Sequence, residues 1–490
     1  VLSRLHEIVQ TPFDLPDGHS ACIGVSLGLA LYPQHGTDAE SLIRAADAAL
    51  YASKTRKADR SSWWQLCGQM PNPSDAASAR AAAVTSSSLS PYGKDAQRLL
   101  RLFQPQVSAF APGFVQEFYD DLGAQPDMQV VLRTLSEHEL MHLHKAQEAH
   151  LLALLSPDLE EAAHRCDGQR LGAVHALTGV STAVLVDALE SYLQQAISLI
   201  QHGALREADR PLLQQTVTGR IRVELQSQAQ GEQQTIDQYM NWIQTATQTA
   251  TGFVNRIDLM HWMLEELTRL PGILAVAYGR PDAMGQPVVE FSTPRFEAYV
   301  AHFQRHEQDY LPPLESAGPL SQASQLRAWR NERIETVASF SQDARAAPWR
   351  DAAEDVGFRS AASIPLRDEQ DRMAAILTLY GAYPNQFESR WMRHSLTMIG
   401  QLLTRVLSQS LRVPLKVLPD HKRMEWRSRL TPEGLDMLVQ PVVDLRHGTV
   451  KRVEALARLR LQDGTQVTPG EFLPWFGASE ISRLFTLGLD

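Results

Sequence analysis

The 490 residues, 44% hydrophobic and 21% charged, have the make-up of ordinary globular protein and are too many for one common domain, so about three are expected. A formal net charge of −10 argues against a broad surface for nucleic acid or anionic membrane, while leaving room for a local basic pocket that holds phosphate. Cys22, Cys67 and Cys166 are scattered and form no C-x-x-C pair, which fits a reducing cytoplasm and gives no zinc or redox signature. No apolar run reaches the roughly 18 to 20 residues of a membrane span. The text opens at Val1 in helical pattern with no basic-then-apolar leader, so the chain is expected to be part of a longer protein.

Residues 1–60 read as α/β: apolar text from Ala21 to Leu31 holding Gly24 and Gly28, a turn at Pro33 and Gly36, then helical spacing through Leu42, Ala45, Ala49 and Leu50. Residues 61–94 shift to Ser, Ala and Pro and read as a linker. Residues 95–230 show successive amphipathic runs and no strand pattern, with Phe110, Phe114, Phe118 and Leu122 at spacing four and then Leu185, Leu189, Tyr192, Ala196 and Ile200. A helix opening near Asp209 and Pro211 runs on through Tyr239, Trp242 and Ile243, so residues 231–254 are expected to be a connecting helix. Residues 255–412 return to mixed structure, with strands expected at 273–278, 288–291, 361–365 and 374–380. A polar bridge at 413–428 leads to two apolar strand-like runs within residues 429–490.

Four resemblances follow from this text. "IGVSLGLALYP" with "LIRAADAALYASK" resembles the C-terminal part of a GGDEF diguanylate cyclase domain, which implies that Lys54 contacts nucleotide phosphates. "FVQEFYDDLGAQPDM" with "RLGAVHALTGVSTAVLVDALESYL" resembles a globin-coupled sensor. That likeness implies haem b with His175 as proximal ligand to the iron and Tyr119 as the distal hydrogen bond to oxygen or another diatomic gas. Leu171, Val174 and His175 fall at i, i+3 and i+4 on one helical face, and Gly179 offers a stop. His164 is the weaker candidate for the proximal place, while His142, His144 and His150 are expected at the surface. Residues 360–387 resemble a GAF domain; no motif there selects a ligand, and a dimerising relay is the favoured reading, with Trp329, Trp349 and Trp391 in its core.

Residues 439–474 resemble the N-terminal part of an EAL phosphodiesterase domain, a β/α barrel. The likeness implies that Glu454 binds Mg2+ or Mn2+, that Arg458 holds a phosphate oxygen and that Gln440 lies near the nucleotide. Strand alternation places Glu454, Leu456 and Arg458 on one face. The expectation is thus a multidomain chain: an α/β fragment, an all-α globin, an α+β GAF domain and the start of a β/α barrel. It would be a cytoplasmic, dimeric gas sensor regulating cyclic-di-GMP turnover, with no nucleic-acid or membrane partner. The parent's output would be a cyclic-di-GMP phosphodiesterase, although the present text holds no complete set of catalytic residues for either enzyme. The competing readings are a non-catalytic cyclic-di-GMP receptor or scaffold with degenerate GGDEF and EAL domains, and a haem-free globin scaffold. The dimer seam is expected along Leu185, Leu189 and Tyr192.

Overall fold

In the computed structural model the described residues are 90–203, 205–306, 310–410 and 417–489, together with 13–14, 20–21, 27–30, 46, 49 and 64–66. The chain divides into two units, Val1–Ser88 and Leu89–Asp490. In the first, strand β1 (Phe13–Asp14) pairs antiparallel with β2 (Ser20–Ala21), and β3 (Leu27–Leu29) pairs parallel with β4 (Trp64–Leu66). β4 falls within the stretch read as linker. The Ser/Ala/Pro text downstream masked the short apolar alternation of Trp64 and Leu66. Lys54 lies outside the described residues.

The second unit opens with six helices. α1 (Lys94–Ala124) buries Leu99, Phe103, Val107, Phe114, Phe118, Tyr119 and Leu122 along one stripe. α2 (Pro126–Leu132) starts on a proline, whose missing N–H costs nothing there. α3 (Glu137–Leu154) begins at a capping box in which the Glu139 N–H donates to Ser136 Oγ and the Ser136 N–H donates to Glu139 Oε2 at 2.7 Å. α4 (Glu161–Thr178) ends at Gly179, whose φ of +83° suits glycine and closes the last turn. α5 (Thr182–His202) is capped by Ser181. α6 (Arg210–Ala250) runs for 41 residues, roughly 60 Å at 1.5 Å per residue.

That length lets one helix serve two cores. Leu213, Val217 and Ile221 of α6 join the helical core of α1, α3 and α5. Tyr239, Ile243, Ala246 and Ala250 of the same helix pack with the strands that follow. α6 and α4 meet backbone to backbone: a Cβ on Gly172 would overlap the Gln228 carbonyl, and one on Gly231 would overlap the Gln169 carbonyl. Leu185, Leu189 and Tyr192, expected on a dimer seam, are instead buried against the chain's own helices. An amphipathic stripe reads alike whether a copy or the same chain covers it.

Next come α7 (Arg256–Thr268), β5 (Ile273–Pro281), β6 (Pro287–Ser292), α8 (Pro294–Arg305), α9 (Ser324–Asn331), β7 (Glu335–Val337), α10 (Arg350–Val356), β8 (Ser360–Arg367), β9 (Met373–Gly381) and α11 (Arg390–Ser410). The five strands form one antiparallel sheet in the order β6-β5-β9-β8-β7. All four expected strands are present; β7, three residues long, escaped the periodicity. Residues of α7 and α11 cover one face of the sheet and those of α8, α9 and α10 the other. Trp349 is buried and donates to the Tyr310 carbonyl, whereas Trp329 is half-buried along a cleft shared with Tyr310 and Gln325. Glu290, wholly buried, holds Arg256 at 2.9 Å and Arg280 at 2.8 Å, so removal of either arginine would leave that carboxylate short of a partner.

α12 (Asp420–Ser428), the hairpin β10 (Leu435–Asp444) and β11 (Thr449–Arg460), β12 (Gln466–Val467), α13 (Pro469–Phe472) and α14 (Ala478–Leu489) complete the unit. Leu435, Ala457, Leu459, Phe472, Trp475 and Phe476 extend the core that α7 shares with the sheet. At that junction an Arg423 Nη1–H donates to His261 Nε2, and burial together with Arg423 pushes the His261 imidazole down to about 4. A histidine that is neutral when folded and protonates near 6.5 when unfolded contributes stability present above that pH and lost as pH falls toward 4. Stability is expected to drop over this window by at most on the order of 3 kcal/mol, with His261→Leu flattening the slope in urea titrations at pH 7 and pH 5. Equal slopes in the two proteins would refute the assignment. Among the described residues no helix is long and apolar enough to cross a membrane.

Candidate functional site

Within the helical part, α3 packs on α1 and α4 packs on α6, and α3 makes no substantial contact with α4. The inner face of α3 accordingly carries half-buried side chains, Leu140, Leu143, His144, Gln147 and His150, where a closed core would bury them fully. On α4, Leu171, Val174 and His175 are likewise half-buried on one face. Each of these two helices thus carries a face that the domain covers only in part.

Tyr119 belongs to α1. Its ring lies 4.3 Å from the His144 ring, nearly parallel, and meets the Phe118 ring edge-on. Burial, and secondarily Tyr192, hold the Tyr119 phenol well above its ordinary range, so it stays protonated. Its hydroxyl has no hydrogen-bond partner among the described residues. Tyr192, next along, accepts a hydrogen bond from Gln147.

His175 belongs to α4. Burial pushes its imidazole down to about 4, so it is neutral at ordinary pH. Its Nδ1 is buried without a partner. Gln228 of α6 is the polar side chain beside it, near enough to influence its titration but short of a formed bond, since Gln228 Oε1 is also buried and unpaired.

His164, the weaker candidate, is removed from consideration by its bonds: the Tyr92 hydroxyl donates to its Nδ1 at 2.7 Å and its Nε2 donates to Glu224 Oε2 at 2.6 Å. Both nitrogens are engaged. His150 Nε2 lies 3.2 Å from the other oxygen of Glu224. His144 and His150 are therefore not surface residues, unlike His142, which is exposed. Burial alone would raise the Glu224 carboxyl, but hydrogen bonds from His150 and His164 outweigh it and hold the group far below the usual range. Arg220, fully buried one turn earlier, stacks on the Tyr92 ring and donates to the Pro91, Leu154 and Ser156 carbonyls.

In the hairpin, Gln440 sits directly across from Glu454, Leu438 across from Leu456, and Asp436 across from Arg458. Gln440, Glu454 and Arg458 thus share one face of the ladder. An Arg458 Nη1–H donates to the Ala457 carbonyl. Among the described residues no group of three or more His, Cys, Asp and Glu side chains is gathered to hold a metal ion.

Comparison with known proteins divides along the same lines. Residues 92–235 match the family model Protoglobin, and residues 1–60 match that of the diguanylate cyclase GGDEF domain. The chain therefore joins a protoglobin segment to a GGDEF segment. No curated protein matches it. Similar solved structures include the globin domain of the Geobacter sulfurreducens globin-coupled sensor (18% identity, 28% of this chain and 90% of that one, TM-score 0.26). Others are the ferric globin domain of E. coli DosC (15%, 27% and 88%, 0.25) and reduced fRMsr of Staphylococcus aureus (14%, 35% and 95%, 0.26). At such scores these likenesses carry no weight of their own.

Proposed function

We propose that the helical part takes haem b between α3 and α4, with His175 as proximal ligand and Tyr119 on the opposite side, and that the chain senses oxygen or another diatomic gas to regulate cyclic-di-GMP turnover. The observation that carries this reading is a neutral, half-covered His175 on α4, together with a protonated Tyr119 phenol that has no hydrogen-bond partner among the described residues, within a segment that matches the protoglobins. The bound group would supply an iron centre with one axial position open to a gas. The chain's own residues do the rest. His175 offers a lone pair without first losing a proton, and α4, locked to α6 by Gly168, Gly172 and Gly231, holds that ring in place. Tyr119, kept protonated, offers a donor to a polar gas ligand. Leu140 and Leu143 lend apolar cover.

Tyr119→Phe is expected to keep haem content and to speed oxygen release about tenfold, the equivalent of one hydrogen bond of roughly 1.4 kcal/mol in a dry site. Stopped-flow release from the reduced protein measures it, and an unchanged rate would remove Tyr119 from the role.

Transmission is supported by how α4 ends. The Asn385 side chain donates to the Thr178 carbonyl at 2.7 Å and the Trp391 indole donates to the Ala176 carbonyl at 3.2 Å, so Asn385 and the first turn of α11 hold the last turn of the helix that carries His175. A gas with different affinity for two positions of α4 would bias those contacts and the α6 lever together. In this reading residues 255–412 are a GAF-type relay and residues 429–490 begin an EAL-type phosphodiesterase, with Glu454 a Mg2+ or Mn2+ ligand, Arg458 and Gln440 at the nucleotide, and Lys54 at the phosphates of the GGDEF part. Magnesium-dependent hydrolysis of cyclic-di-GMP tests the output; binding without hydrolysis would favour a non-catalytic receptor.

A further inference from the structure

Beside His175 lies a buried polar cluster that the haem reading does not use. Glu224 of α6 is wholly buried, yet its two oxygens are engaged by His164 at 2.6 Å, by His150 at 3.2 Å and by the Gln228 amide N–H. That last bond fixes which way the Gln228 amide points: its NH2 faces Glu224, so its Oε1, an acceptor, is the atom left over. Oε1 is buried and unpaired, and so is Nδ1 of the neighbouring His175. Two orphaned buried atoms on adjacent side chains, one able to donate and one only able to accept, are complementary.

We propose that Gln228, oriented by Glu224, is the positioning residue for His175: it accepts the Nδ1 proton, fixes the tautomer that leaves Nε2 free to ligate, and ties that ligand to the long helix α6. The inference rests on the haem reading above. Its geometry comes from the glycines. Gly172 is one turn before His175 and touches the Gln228 backbone, and Gly168 meets Ser227, so α4 lies against α6 with Gln228 at the level of the imidazole. An acceptor backed by a buried carboxylate makes an imidazole a stronger electron donor, the usual effect of a partner behind a metal-ligating histidine. The chain Tyr92, His164, Glu224, Gln228, His175 then connects the start of α1, α4 and α6 to the sensing ligand through hydrogen bonds.

The test compares the full chain with Gln228→Met and Gln228→Glu. Resonance Raman scattering from the reduced, gas-free protein reads the iron–histidine stretching band, and a spectroelectrochemical titration reads the midpoint potential. Gln228→Met removes the acceptor at similar volume and is expected to move the band to lower wavenumber and the potential upward with haem content retained; Gln228→Glu restores or overshoots the original band. A band and potential unmoved in Gln228→Met at full haem content overturn the proposal. Should that variant fail to fold, Glu224→Gln, which keeps shape and loses the charge, must give a smaller shift in the same direction; no shift there overturns it as well. Unmutated protein that takes up no haem would defeat the haem reading itself, which is a separate outcome.

Discussion

His175→Ala is expected to abolish the Soret absorbance of the purified protein while leaving its helical far-ultraviolet signal intact. His175 combines a neutral imidazole, a half-covered face and a buried Nδ1 without a partner. His164 and His150 are committed to Glu224, and His144 lies flat against Tyr119 with its Nε2 buried. His164 and His150 cannot replace the lost ligand without breaking a buried hydrogen bond, at about 1 to 3 kcal/mol each, and His144 would have to leave the Tyr119 ring. The fold should tolerate the change, because a half-covered ring contributes less packing than a core side chain, and a loss of about 1 to 2 kcal/mol is anticipated. Haem bound at wild-type level in the variant would show that another residue ligates the iron.

Gly172→Val should cost more stability than any other single change at the site, about 3 kcal/mol or more by urea unfolding, and should release haem. The added Cβ would occupy the position of the Gln228 carbonyl, which is backbone within a helix and has nowhere to move. α4 would have to lift from α6, taking His175 with it. Gly113 provides the control: it is exposed in α1 with nothing within 4 Å of an added Cβ, so Gly113→Ala should stabilise by about 0.5 to 1 kcal/mol. If Gly172→Val unfolded no more readily than wild type, the close crossing of α4 and α6 would be wrong.

What the sequence made legible was local. The stop at Gly179, the shared face of Leu171, Val174 and His175, the start of α6 near Pro211 and the four longer strands all follow from spacing within one element. Contacts between elements were not legible. Leu185, Leu189 and Tyr192 form an apolar stripe whose pattern does not say what covers it. His144 and His150 are polar residues on a helix with little amphipathic contrast, and such residues are ordinarily solvated; here both are half-buried, His144 against the Tyr119 ring and His150 beside Glu224. Arg220, Glu224 and Gln228 sit mid-helix and read as an exposed polar face. One signal did point to them: glycines at 168, 172 and 231 weaken isolated helices and are explained only where two backbones touch, which places Glu224 and Gln228 inside. β7 and β4 are too short for their alternation to stand out.

The most direct measurement is the absorption spectrum of the unmutated protein, produced with ample haem and reduced under carbon monoxide. The account predicts about one haem per chain and a sharp Soret band that shifts when the gas is added. A colourless protein with folded helices, or a Soret band that carbon monoxide leaves unchanged, would contradict it.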